Sequence, residues 1–60
     1  MKKSDLLQFF GSALKFASRL DYASRNSFYN LPDILTDRQR GDVIRRMKAK
    51  RITVPKEWMK

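Results

Sequence analysis

The chain of 60 residues has no cysteine and no histidine, and only two glycines and two prolines. Without cysteine there is neither a disulfide framework nor a thiolate metal site. Without histidine the commonest general base, the pH switch that works near neutrality and the usual zinc ligand are all missing. Catalysis is therefore not expected, nor is a cofactor, a metal or a small-molecule ligand. Long apolar runs are lacking too. Nothing could span a bilayer, and the opening MKKSDLLQFFGSALK is broken by Asp5 and Gly11 before a signal-peptide core could form. A cytoplasmic location is expected. Acidic side chains are scarce, six against 14 Lys and Arg, for a formal net charge of +8. Domains this basic usually meet polyanions, with nucleic acid the leading candidate.

What is present is enough for a packed domain. Hydrophobic residues make up 42% of the chain, far more than solvated tails carry. Sixty residues form one domain whose burial on folding is marginal, so a partner subunit would help. The charge is uneven: residues 1–37 carry +1 and residues 38–60 carry +7.

Taken in order, Ser4 reads as the N-cap of a short helix with Asp5 in its first turn, Leu6, Leu7, Phe9 and Phe10 as core, and Gly11 as its left-handed stop. Ser12 caps a second helix in which Leu14, Phe16, Ala17 and Leu20 recur at helical spacing and line one face. Asp21 breaks that helix because Asp tolerates left-handed geometry, and Tyr22 plugs the space between helices. Ser24 caps a third helix that Pro32 ends at Leu31, with Phe28 and Leu31 inward and Arg25, Asn26, Tyr29 and Asn30 outward. Ile34 and Leu35 tuck under the core.

The segment TDRQ, Thr36 to Gln39, is a capping box that opens a fourth helix with Val43, Ile44 and Met47 as its apolar stripe. Gly41 within it costs roughly 1 kcal/mol relative to alanine and marks a close helix crossing. The basic side chains Arg45, Arg46, Lys48, Lys50 and Arg51 crowd the end of this helix, as the dipole prefers. Ile52 to Pro55 is β-branched and extended, and Trp58 either covers the small core or inserts into a second subunit. The expected architecture is all-α, four to five short helices over residues 1–51, then a C-terminal arm over 52–60.

Two short helices joined by a tight turn across residues 12–31, the second exposing arginine and asparagine, fit the major groove of DNA. Arginine matches the two acceptors on a guanine edge, and asparagine bonds adenine in the same two-point way. Lys15 and Arg19, four apart, share a face that could reach a phosphate track.

The run KKSDLLQFFGSALKFASRLDY followed by SRNSFYNLPDIL resembles the Cro proteins of lambdoid phages and related bacterial regulators. Phe10 and Gly11 match the aromatic and glycine that close the first helix of that family, Ala17 its central alanine, and Leu20 the leucine before the turn. Leu31, Pro32 and Asp33 match the end of its recognition helix. The family normally has glycine in the turn where Asp21 stands, and the turn is one residue longer here, near Ala23. The resemblance covers residues 2–35. It implies a lambda-repressor-like helix-turn-helix fold and a cytosolic repressor that binds pseudo-palindromic operators as a two-fold dimer. Ser24, Arg25 and Asn26 match early base contacts, and Tyr29 and Asn30 match those one turn later. Ser12 and Ala13 match the helix start that meets a phosphate, and the basic end of the last helix, including Arg45 and Lys48, would touch the flanking backbone.

Weak association is expected through the last helix and the arm, by way of Met47, Ile52, Val54 and Trp58. An alternative from another class is a protein-interaction module, such as a phage antirepressor or host-takeover factor, anchored by Trp58 and the apolar stripe of the last helix. RNA binding ranks third and an amphipathic membrane helix last.

Overall fold

The computed structural model describes residues 1–59; Lys60, the end of the expected arm, lies outside them. The protein is all-α. Its elements are α1 (Lys3–Phe10), α2 (Ala13–Arg19), α3 (Asn26–Tyr29) and α4 (Asp37–Ala49), followed by a closing 3-10 turn, Lys56–Met59.

Local signals set most of the boundaries. Gly11 ends α1 at φ 95°, where a side chain would be strained, and its amide donates to the Leu7 carbonyl at 2.8 Å. The Ser12 hydroxyl accepts the Lys15 amide at 3.1 Å and starts α2. Asp21 stops α2 at φ 60°. The capping box forms as the sequence indicates: the Gln39 amide donates to the Thr36 hydroxyl at 3.2 Å, and the Thr36 amide donates to the Gln39 carboxamide oxygen at 2.9 Å.

One start is set from a distance instead. The Lys3 amide donates to the Asp33 carbonyl and the Leu35 amide to the Met1 carbonyl, each at 2.9 Å, so that Lys2 and Ile34 face each other in an antiparallel bridge. This pairing fixes the chain ahead of α1, and the Lys2 amide donates to the Asp5 carboxylate at 3.1 Å. Ser4 therefore lies inside the helix and is not its cap.

The core is one cluster that draws Leu6 and Phe10 from α1, Ala13, Phe16 and Leu20 from α2 and its end, Phe28 from α3, Leu35 from the link before α4, Val43 and Met47 from α4, and Trp58 from the last turn. Phe16 is its hub. Its ring meets those of Phe10 and Phe28 edge-on at 5.4 and 5.5 Å and stacks on Tyr22 at 5.2 Å.

Several expected core positions are exposed, for a geometric reason. On α2 the buried set is 13, 16, 17 and 20, so Ala13 takes the inward place and Leu14, a residue away, is 60% exposed. On α1, Leu6 and Phe10 face inward, and Leu7 and Phe9 are more than two-fifths exposed on either side of them. Ile34 does not tuck under the core; it points away from Leu35 and is 67% exposed. Leu31 is half-buried against the cluster. A Cβ at Gly41 would have no atom within 4 Å, so no helix crosses closely there.

The C-terminal segment joins the same core. The Ile52 amide turns back to the Met47 carbonyl at 2.9 Å, Ile52 and Val54 pack half-buried on the cluster, and Trp58 is 5% exposed against Phe9. Of the two places open to Trp58, it takes the one on its own core.

Candidate functional site

The site expected from the sequence is the outer face of α3. Its helix is one turn long, shorter than the expected span of 24–31. The Ser24 hydroxyl accepts the Asn26 amide at 3.2 Å, an alternative to helical bonding that delays the start, and Pro32 removes an amide at the far end. The first bonds are tight: Ser27 to the Ser24 carbonyl at 3.1 Å and Phe28 to the Arg25 carbonyl at 3.0 Å. Asn30 then donates to the Asn26 carbonyl at 2.9 Å. At the closing end, the Lys3 ammonium donates to the Tyr29 carbonyl at 3.2 Å and stands 5.1 Å from the Phe28 ring centre, a cation where the helix dipole favours one.

Phe28 is the inward anchor of α3. Ser24, Arg25, Asn26, Tyr29 and Asn30 are all exposed on the same short stretch. On α2, Lys15 and Arg19 are exposed; the Lys15 side chain lies over Gly11, and the Arg19 guanidinium is 5.9 Å from the Phe10 ring centre. Ser12 is half-buried with its hydroxyl occupied as the cap. Lys48 is exposed, but Arg45, expected to touch phosphate, is bound to Asp42 at 2.6 Å.

Of the residues expected to pair subunits, Met47 and Trp58 are buried and Ile52 and Val54 pack on the core. Val43 and Met47 of the α4 stripe are buried in the same chain as Trp58, and Ile44 packs half-buried beside them.

The turn between α2 and α3 is held by side chains of α4 that lie more than 20 residues away along the chain. Arg46 of α4 donates from Nη1 to the carbonyls of Leu20 (2.9 Å) and Asp21 (3.3 Å), donates from Nε to Asp42 at 3.1 Å, and lies 4.1 Å over the Tyr22 ring. The Tyr22 hydroxyl donates to Asp42 at 2.9 Å, and Lys50 pairs with Asp21. Only the Asp42 to Arg46 spacing of four residues hinted at any of this.

Burial and the adjoining Asp42 carboxylate push the Tyr22 phenol up to about 12. Burial would raise Asp42, but hydrogen bonds from Arg45, Tyr22 and Arg46 outweigh it and hold its carboxyl below the ordinary value. The clasp is thus an anion between two guanidiniums, and it fastens the turn that precedes α3.

No family model matches the chain, and neither does a curated protein or a solved structure. No helix among the described residues is long and apolar enough to cross a membrane. Chemically, the outer face of α3 offers five donors on one guanidinium, two carboxamides, a hydroxyl and a phenol, with two cations on the neighbouring helix.

Proposed function

We propose that the chain is a sequence-reading, duplex-DNA-binding regulator of the helix-turn-helix type, acting as a Cro-like repressor on a pseudo-palindromic operator. One observation carries the reading: α3 anchors inward through Phe28 and leaves Arg25, Asn26, Tyr29 and Asn30 exposed on a chain of net charge +8. Among the described residues, the Arg25 side chain makes no hydrogen bond or ion pair, so its fork is available for a guanine edge. Asn26 offers the two-point contact to adenine, Tyr29 and Asn30 follow one turn on, and Ser24 borders them. Because α3 is a single turn, base reading is concentrated in Arg25 and Asn26 at its start. Lys15, Arg19 and Lys48 supply phosphate contacts that position the domain without reading sequence.

The test is selection from random duplexes, followed by titration of the selected and a scrambled site. Arg25→Ala is expected to lose about 1–3 kcal/mol of discrimination between them while general binding persists. Affinity for either duplex falls linearly with salt on logarithmic axes. A parent chain that ignores duplex DNA at low salt, or a variant that discriminates as the parent does, overturns the proposal.

A further inference from the structure

Residues 1–3 and 33–35 form a two-stranded ribbon one bridge long. Its two hydrogen bonds run from Lys3 to Asp33 and from Leu35 to Met1, which makes Lys2 and Ile34 the pair between them that does not exchange bonds. In an antiparallel ribbon the amide and carbonyl of such a residue point outward. Among the described residues, the Ile34 amide and carbonyl have no partner, and its side chain is 67% exposed beside Leu7. These two side chains line a groove of about 450 Å³ whose rim carries Lys2, Lys3 and Asp33. Natural proteins rarely leave a strand edge both unpaired and apolar, because it invites a further strand.

We infer that this edge is where a second copy of the chain pairs, with Ile34 opposite Ile34 of the other copy about a two-fold axis. A residue on such an axis exchanges both backbone bonds with its own counterpart, the same patch serves both copies, and closure is automatic. The rim decides for a copy of this chain over a foreign strand. It bears cations and an anion together, so a copy can set Lys2 against Asp33, while a uniformly acidic or basic partner meets a like charge. The interface replaces the one expected through α4 and the arm, whose apolar side chains are spent on the core. It takes from the functional proposal only the expectation that two copies act together, and it leaves Arg25 and Asn26 untouched.

Cysteine scanning tests it, since the chain has no other cysteine. Directly paired residues lie about 5.5 Å apart at Cα, within disulfide reach. Ile34→Cys is expected to oxidise to a covalent dimer at least about ten-fold faster than the exposed control Leu14→Cys, and Ile34→Lys to weaken self-association in sedimentation by about ten-fold or more. Binding to a duplex carrying a single half-site should be unchanged in Ile34→Lys, which separates failure of pairing from failure of reading. Equal oxidation of the two cysteine variants, or sedimentation indifferent to Ile34→Lys, overturns the inference.

Discussion

At position 46 the planar fork of arginine reaches two carbonyls and a carboxylate while its face covers a tyrosine ring. A lysine ammonium could satisfy part of this set but not all of it, since it is a point charge without a face. Arginine is therefore chosen here for an internal task, whereas composition alone suggested an external one.

The clasp also makes stability depend on pH at both ends. Tyr22 titrates higher when folded, so its contribution is whole below about 10, the ordinary phenol value, and fades as pH rises through about 12. Asp42 titrates lower when folded, so its contribution is present above the ordinary carboxyl value and is lost as pH falls through the depressed one. Tyr22→Phe should lower stability by about 0.5–1.5 kcal/mol near neutrality, the worth of a typical hydrogen bond, and should flatten the alkaline limb. Asp42→Asn should flatten the acid limb. Thermal melts across the pH range measure both.

At the scale of elements, α4 owes its start to four consecutive residues, and its one weak position is Gly41. With nothing near a Cβ there, Gly41→Ala should stabilise by about 0.5–1 kcal/mol by removing backbone freedom from the unfolded chain. A rise in the denaturation midpoint at unchanged slope is the expected result; a fall would reveal a contact at this position.

The same contrast explains what could be read in advance. Gly11, Ser12, Asp21 and the Thr36–Gln39 box act on neighbours within four residues, and each stands where its chemistry requires. The ribbon from Lys2 to Ile34 and the Lys3 contact at Tyr29, 26 residues apart, depend on the finished fold. Leu7, Phe9, Leu14 and Ile34 are exposed against expectation because an apolar side chain does not declare which face of its element it occupies. On the candidate site, the exposure of Arg25, Asn26, Tyr29 and Asn30 was legible from the inward spacing of Phe28 and Leu31. The brevity of α3 and the loss of Arg45 to Asp42 were not, since both follow from hydrogen bonds with several possible partners.

At the scale of the whole molecule, a single aromatic hub holds four elements. Phe16 is fully buried and touches rings from α1, α3 and the turn. Phe16→Ala should cost about 3–5 kcal/mol, which is as much as a core in a domain this small supplies, roughly 3–5 kcal/mol. The variant is expected to be largely unfolded at 25 °C by circular dichroism, while the exposed Leu14→Ala keeps the parent's melting curve. A cooperative melt in Phe16→Ala close to the parent's would show that the hub is not needed.

Trp58 is the sole indole of the chain, and it reaches the core at the end of a stretch that has no regular structure between Arg51 and Lys56. Its fluorescence is therefore a private reporter on the closing turn. A red shift of the emission at mild denaturant, before the helical signal falls, is expected if that turn undocks as a separate unit. A single coincident transition would mean that the last residues are as much a part of the cooperative fold as Phe16.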